Sequence, residues 1–168
     1  MSLFRLVRPI ALAGSLLGAA VALGACSFSP VYSGTLASQP MLDLAFAKPA
    51  SRLEQVIYQE LALRFGSSVA PTAPLATVTV AASSGAVGLS ATANPNKLSS
   101  LTVTASVTVT RRDGSDAAPI TFTRQASAQY TTSGQVLADT AAGNEAAERA
   151  AKAAAESLRL AMLASLSR

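Results

Sequence analysis

Reactive side chains are scarce in this sequence, and the most informative of them is Cys26, the only cysteine in 168 residues. It follows an apolar run over residues 9–23 and two small residues, Gly24 and Ala25. Arg5 and Arg8 precede this run. A basic start, an apolar stretch and small residues before the cleaved bond are typical of a secretory signal peptide. The run is shorter than the roughly 20 residues that a membrane-spanning helix needs, so we expect cleavage rather than a transmembrane anchor.

The sequence around the cysteine predicts a lipid attachment. Residues 23–26, Leu-Gly-Ala-Cys, match the bacterial lipobox, in which leucine stands three positions before the cysteine. We predict cleavage between Ala25 and Cys26, followed by S-diacylglyceryl and N-acyl modification of Cys26. A single acyl chain holds a protein only marginally, at about 0.8 kcal/mol per buried CH₂, whereas three chains anchor it permanently. Ser27, where an aspartate would retain a lipoprotein at the inner membrane, favours the outer membrane.

The side chains that are missing exclude several kinds of chemistry. There is no histidine, so catalysis by an imidazole base and metal binding through imidazole are excluded. With Cys26 lipidated, no thiol nucleophile and no internal disulfide remain. The carboxylates have structural explanations: Glu54 in a helix cap, Asp113 in a turn, and Glu145 and Glu148 at a helix start. We therefore predict no catalytic residues, no metal site, no cofactor other than the lipid, and no enzymatic activity.

Length and charge indicate one small domain that does not bind nucleic acid. We divide the chain into a signal peptide (1–25), a lipidated tether rich in Ser, Gly and Pro (26–40) and a single domain (41–168). The net charge of +4 includes two arginines of the signal peptide, whose removal leaves only +2. Such a mild charge does not predict a nucleic-acid partner. With no tryptophan and 5% aromatic residues, the core should consist of Val, Leu and Ala.

The first part of the domain predicts one strand and one helix. Alternating apolar residues over 41–47 are typical of a half-buried strand. Residues 51–65 follow a helical pattern, and Ser51 with Glu54 three positions later forms a capping box. Gly66 is the expected C-terminal stop of this helix.

The middle of the domain predicts an antiparallel meander of three strands, 75–82, 101–111 and 120–130. Apolar side chains alternate with Thr, Ser and Gln, so one side of the sheet is apolar and the other polar. The pattern weakens over 83–100, which we expect to be a long, mobile hairpin end with bulges or bends at its glycines, Gly85 and Gly88. Arg124 interrupts the apolar side and is expected either near an edge of the sheet or reaching solvent.

The end of the chain predicts a long helix. Residues 145–168 contain no Gly or Pro and consist largely of good helix formers, with Asn144 as the expected N-cap. A stripe of apolar residues should face the sheet: Ala147, Ala151, Ala154, Leu158, Met162 and Leu166. The predicted fold is therefore α+β, a two-layer sandwich in which two helices cover one face of an approximately four-stranded, mostly antiparallel sheet.

Two surfaces are candidates for ligand contact. The Thr/Ser side of the meander is either a ligand surface or a solvated face, and we expect the solvated face because antiparallel sheets often expose one side. Lys97, Arg111, Arg112 and Arg124 have the chemistry to bind phosphate groups, although ordinary solubilising charges are the expectation for each.

Taken in order, these segments resemble one known family. Residues 26–32, Cys-Ser-Phe-Ser-Pro-Val-Tyr, resemble the C-x-F-x-P-[LV]-Y start of mature lipopolysaccharide-assembly lipoproteins of the LptE family, especially its alphaproteobacterial branch. Residues 52–65 are similar to the family's first helix. Residues 101–112 and 120–130 are similar to its paired strands, and 138–166 to its closing alanine-rich helix. The resemblance covers essentially the whole mature chain.

The resemblance implies a function without catalysis. Such proteins sit at the periplasmic face of the outer membrane, plug the lumen of the lipopolysaccharide-translocating β-barrel LptD, help it assemble, and contact lipopolysaccharide. It supports Cys26 as the lipidation site, and we select Lys97, at the expected hairpin end, as a candidate contact with the barrel or with lipopolysaccharide. The alternative is an auxiliary lipoprotein of an ABC-type phospholipid transport system, since those are also small lipidated α+β domains.

Overall fold

The computed structural model describes residues 43–88 and 97–166, which belong to one compact unit spanning Ser38–Arg168. These residues form five strands and two helices. In chain order they are β1 (Asp43–Phe46), α1 (Arg52–Ala62), β2 (Gly66–Ser67), β3 (Leu75–Ala86), β4 (Lys97–Thr110), β5 (Ile120–Thr132) and α2 (Val136–Leu166). Within the described ranges, neither helix is long and apolar enough to cross a membrane.

The strands form one open, mixed sheet in the order β2-β1-β3-β4-β5. β1 runs parallel to both of its neighbours, and α1 provides the crossover that a parallel connection requires. β3, β4 and β5 form the predicted antiparallel meander. The predicted α+β fold is confirmed, with one more strand than the four expected, because the two residues of β2 are too few to show an alternating pattern.

Gly66 has a different role from the predicted one. α1 ends at Ala62, with Leu63 as a C-cap of ordinary helical conformation, so Gly66 does not end the helix. It instead opens β2, where it pairs with Asp43 of β1. A side chain at Gly66 would meet the carboxylate of Asp43, which would have to turn aside, whereas the Asp43 Cα lies 3.6 Å away, at ordinary contact distance.

The start of α1 follows the predicted capping pattern. The Ser51 hydroxyl accepts a hydrogen bond from the Glu54 backbone N–H at 3.2 Å. The Glu54 carboxylate reaches back to the N–H of Ala50 at 2.6 Å, one residue before the position that a standard capping box uses. The first bond satisfies an N–H group that the helix itself leaves unpaired, and the second holds the residue that precedes the cap.

α2 begins nine residues earlier than predicted, at Val136, so Asn144 lies inside the helix and is not its cap. The Asp139 carboxylate accepts hydrogen bonds from the backbone N–H groups of Ser133 (2.8 Å) and Gly134 (3.0 Å). Gly134 has φ +84°, which turns the chain from β5 into the helix. Gly143 costs the helix about 1 kcal/mol relative to alanine, and packing of this turn on β5 offsets that cost.

The hairpin strands extend further than their apolar pattern indicated. β3 continues to Ala86 and β4 begins at Lys97, with an uninterrupted register through Gly85, so the bulge expected there is absent. Gly88, at φ +119°, provides the expected bend after the strand. Residues 89–96 of the predicted hairpin end lie outside the described residues, as does the tether.

The core lies between the helices and one face of the sheet. Both helices contribute fully buried apolar side chains, among them Ile57, Leu61 and Leu158, each with no exposed surface. The sheet contributes mainly Val and Ala, and most of the predicted alanine stripe of α2 is buried against them. Because alanine is small, α2 approaches the sheet closely, as the composition indicated.

One polar group is built into this core. Tyr58 of α1 is 7% exposed, and its hydroxyl oxygen accepts a hydrogen bond from the Val78 backbone N–H at 2.8 Å. Val78 lies past the point where β1 ends, so its N–H has no neighbouring strand on that side. The tyrosine replaces the missing strand, and burial raises the pKa of its hydroxyl.

Candidate interaction surface

The meander has two faces of opposite character. Residues paired across antiparallel strands point to the same side, so the register assigns every side chain to one face. One face carries the buried residues under the helices. We call the other the open face, and it consists of Leu75, Thr77, Thr79, Ala81, Ser83, Gly85, Leu98, Ser100, Thr102, Thr104, Ser106, Thr108, Thr110, Thr121, Thr123, Gln125, Ser127, Gln129 and Thr131.

The open face carries no charge anywhere along β3, β4 and β5. The two charged residues within these three strands, Lys97 and Arg124, belong to the register positions of the helix-covered face. Hydroxyl and amide groups make up nearly all of the open face. The predicted segregation of Thr, Ser and Gln to one side is therefore confirmed, and this side is not covered by either helix.

Hydroxyl groups on the open face bond to one another across the strands. Three such pairs join β4 to β5: Thr102 with Ser127 at 2.7 Å, Ser106 with Thr123 at 2.8 Å, and Thr108 with Thr121 at 3.0 Å. Each pair satisfies one hydroxyl donor within the sheet. The pairs also fix the register, because a slip of one residue would place these groups on the other face.

The outer edge of the sheet is protected by arginines. On β5, the Arg124 guanidinium donates to the Thr123 carbonyl at 2.7 Å, and Arg149 of α2 donates to the Gln129 carbonyl at 3.1 Å. Along an antiparallel strand, the backbone groups of successive residues point alternately to the two sides of the strand. Thr123 and Gln129 pair with residues of β4 whose backbone groups bond to β3, so their own carbonyls point away from β4 and out of the sheet. Arginines on an edge strand hinder pairing with another chain. The prediction that Arg124 lies near an edge is confirmed.

The basic residues proposed from the sequence do not form one site. Lys97 starts β4 and is exposed, and among the described residues no partner engages its ammonium group. Arg112 follows the other end of the same strand, about 45 Å away, and donates to the Ala73 carbonyl at 2.8 Å. Arg111 is exposed beside Asp113, whose pKa is lowered mainly by hydrogen bonds from Ser115. Lys97 and Arg111 are thus the basic candidates that make no hydrogen bond or ion pair with the described residues.

The helices are joined at one end by an ion pair that the sequence did not predict. Arg52 of α1 and Glu148 of α2 lie 2.7 Å apart beside a cleft of about 300 Å³. This hydrogen bond lowers the pKa of Glu148 and raises that of Arg52. Glu148 is therefore a partner of α1 rather than a residue of the helix start, as is clear from the beginning of α2 at Val136.

The remaining predicted sites fall outside this surface. Ala25 and Cys26 lie outside the described residues, so cleavage and lipidation stay predictions. Within residues 43–88 and 97–166, no group of three or more acidic, cysteine or histidine side chains is placed to hold a metal ion. Among the features described so far, the open face is the candidate interaction surface of the domain.

Comparison with solved structures gives the class of the fold. A protein described as a lipoprotein of Caulobacter crescentus CB15 aligns with a TM-score of 0.50 and 22% identity, covering 76% of this chain and 93% of its own. The rare lipoprotein B of Shewanella oneidensis aligns at 0.54 and 15% identity, covering 74% and 94%. A minor lipoprotein of Acinetobacter baumannii aligns at 0.50 and 16%, covering 74% and 90%. The domain thus has the fold of small bacterial lipoproteins.

The sequence itself identifies the family. The lipopolysaccharide-assembly family LptE matches residues 41–162, which include nearly all of the described residues. The chain therefore belongs to the LptE family, as the resemblance in its sequence implied. No curated protein sequence gives a significant match. Membership places the chain among the proteins of lipopolysaccharide assembly.

Proposed function

We propose that this protein is anchored through a lipid on Cys26 to the periplasmic face of the outer membrane, plugs the lumen of an LptD-like β-barrel, and helps it assemble and deliver lipopolysaccharide. The observation that carries the proposal is the family match over residues 41–162, which spans every element of the sandwich. The same match favours this function over the auxiliary lipoprotein of an ABC-type phospholipid transporter.

The chemistry of the domain agrees with a role based on shape. The sequence has no histidine and no second cysteine, and five of its nine carboxylates serve in caps, turns and ion pairs: Glu54, Asp113, Asp139, Glu148 and Glu156. We therefore propose a protein that is not an enzyme, that needs no cofactor beyond its lipid, and whose partners are the barrel and lipopolysaccharide. A rigid sandwich with protected edges suits a component that must occupy a lumen without pairing with the barrel strands.

The spacing between Cys26 and the domain suits such an anchor. Seventeen positions separate Cys26 from Asp43, where β1 begins. A chain of this length spans at most about 60 Å. The domain can therefore reach into a barrel lumen while the lipid stays in the inner leaflet.

Lys97 is the proposed polar contact with the barrel or with a phosphate of lipopolysaccharide. It is exposed at the start of β4 and is not engaged by any described residue. Lys97→Ala should weaken retention of the proposed partner, whereas Lys97→Arg should preserve it, since a phosphate accepts a guanidinium as readily as an ammonium. Equal retention by both variants and the wild type would remove Lys97 from the proposal.

The direct test is affinity purification of the tagged, full-length lipoprotein from outer membranes in mild detergent. Recovery of a large β-barrel in near-equal amounts is the expected result. Recovery of an inner-membrane permease or its substrate-binding subunit instead would contradict the proposal. Cys26→Ser serves as the matched variant for the anchor, and it should accumulate as an unprocessed or soluble form.

A further inference from the structure

We propose that the open face is the surface with which this protein seats against the inner wall of its partner barrel, and that this wall is polar and uncharged where the two meet. The inference rests on the proposed function, since it specifies the surface through which that function operates. It concerns the side of the meander that the sequence alone predicted to be merely solvated.

The absence of charge is the first argument. Charged residues make up 13% of this chain, and such residues concentrate on the surface of a soluble protein. The open face spans three strands without a single Lys, Arg, Asp or Glu. The outer side of α2 shows the contrast, with Glu145, Arg149 and Lys152 all exposed. Depletion of charge is typical of the centre of a protein–protein interface rather than of a surface kept in water.

The cost of removing water from the open face is the second argument. Burying an unpaired hydroxyl costs a protein free energy, and burying a charge costs far more. On the open face six hydroxyls of β4 and β5 are already paired with one another, as in Thr102 with Ser127 and Ser106 with Thr123. The face can therefore be dehydrated at low cost while its remaining lone pairs and amide groups bond to a polar partner.

Size and shape are the third argument. Three strands about 4.8 Å apart and about twelve residues long present a surface of about 14 by 40 Å. Side chains make the accessible area of this surface larger than its outline, so it approaches the roughly 800 Å² that a stable interface buries on each partner. A long, gently twisted sheet also fits another sheet, such as the inner wall of a wide barrel, because sheets pack face to face at a constant separation.

The chemistry of the face favours a barrel wall over a phosphorylated saccharide. A site for phosphate groups needs cations, and the nearest basic side chains of the sheet, Lys97 and Arg124, belong to the helix-covered register. No aromatic side chain lies on the open face to stack on a sugar ring. A wall lined by hydroxyl and amide side chains meets the open face without leaving a buried charge on either partner.

A charge inserted at the centre of the open face tests the inference. Thr104 lies on the middle strand opposite Gln125 of β5, and neither takes part in the three hydroxyl pairs. In the full-length, lipidated protein, Thr104→Lys and Gln125→Lys should each reduce the barrel recovered per lipoprotein at least tenfold. Thr104→Val retains shape without charge and should stay within twofold. Ala153→Lys places the same charge on the exposed side of α2 and should also stay within twofold.

The outcomes separate this inference from the proposed function. Wild-type protein that recovers no barrel defeats the proposed function itself. If both lysine variants recover as much barrel as the wild type does, the inference is overturned and the proposed function still stands. A wild-type dimer in detergent that Thr104→Lys dissociates, with barrel recovery unchanged, would make a second copy of this chain the occupant and also overturn it. Thermal melts of the variants show that the sandwich is folded, and the exposed Gln125 provides the second site if Thr104→Lys is unstable.

Discussion

The two faces of the meander are formed by the same three strands, but they differ in side-chain chemistry and in burial. On one side Val103, Ala105 and Val107 are fully buried under the helices. On the other side, Thr102, Thr104 and Ser106 alternate with them along the same strand and are uncovered. The buried face provides the stability of the domain, whereas the open face provides little of it. The absence of charge from the open face is what the proposed contact with a polar, uncharged barrel wall requires.

The strongest effect on stability should come from the helix-covered face. Leu158→Ala should lower the free energy of unfolding by about 2–5 kcal/mol, because Leu158 is fully buried and its loss leaves a cavity. Leu160, two positions later, is 59% exposed and is the matched control. Leu160→Ala should change stability by less than about 0.5 kcal/mol in urea unfolding. Similar losses for both would mean that α2 is not packed as described.

The next largest effect is expected at Tyr58, whose hydroxyl accepts the hydrogen bond from Val78 that a neighbouring strand would otherwise accept. Tyr58→Phe removes the acceptor of the buried Val78 N–H and should cost about 1–3 kcal/mol. Tyr130→Phe is the control, since the half-buried Tyr130 hydroxyl has no hydrogen-bond partner among the described residues. Equal melting temperatures for the two variants would contradict the role given to Tyr58.

The pH dependence of Tyr58 follows from the direction of its pKa shift. Burial raises the pKa of the hydroxyl in the folded state, so the neutral form is favoured there. The resulting stability is complete below the ordinary tyrosine pKa near 10 and is lost as pH rises through the folded value. Tyr58→Phe should therefore flatten the alkaline part of the stability profile, measured by melts across that range.

A smaller effect is expected from the hydroxyl pairs of the open face. In a double-mutant cycle, Thr102→Val and Ser127→Ala should show a coupling of about 0.2–1 kcal/mol, since the two side chains bond directly. The equivalent cycle at Thr104 and Gln125, which face each other without such a bond, should show less. A larger coupling at the second pair would indicate that the hydroxyl bonds do not order this face.

The smallest effect should come from the exposed ion pair between the helices. The hydrogen bond from Arg52 lowers the pKa of Glu148, so its stabilisation is present above the ordinary glutamate pKa and is lost as pH falls through the folded value. Because Arg52 is exposed and Glu148 is partly exposed, water and salt screen the pair. Glu148→Gln should remove only a slight acid-side slope in melting temperature, and added salt should erase that slope in the wild type.

Much of this architecture could be predicted from local patterns. The alternation in 101–111 and 120–130 identified both strands and assigned the faces correctly, because a period of two determines which side each residue takes. Ser51 and Glu54 marked the start of α1 through local chemistry. These are interactions within a few residues, which the sequence displays directly.

The features that could not be predicted depend on contacts distant in sequence or on exceptions to local preference. The start of α2 was wrong because Gly143 and Asn144 resemble a helix boundary, while the true one depends on the Asp139 carboxylate reaching back to Ser133 and Gly134. β2 is recognised through its pairing with β1, a contact between residues more than 20 positions apart. The alternation of Thr and Ser in each strand could be read from the sequence. That these residues form one continuous surface across three strands could be seen only from the pairing of the strands.

The most direct test of the central claim is site-specific photo-crosslinking of the lipidated protein in outer membranes. A photoreactive residue placed at Thr104 reports on the open face, and the same residue at Ala153 reports on the exposed side of α2. The account predicts an adduct of the mass of the β-barrel from Thr104 and a much weaker one from Ala153. A barrel adduct from Ala153 alone would reverse the assignment of the faces, and the absence of any barrel adduct would contradict the proposed function.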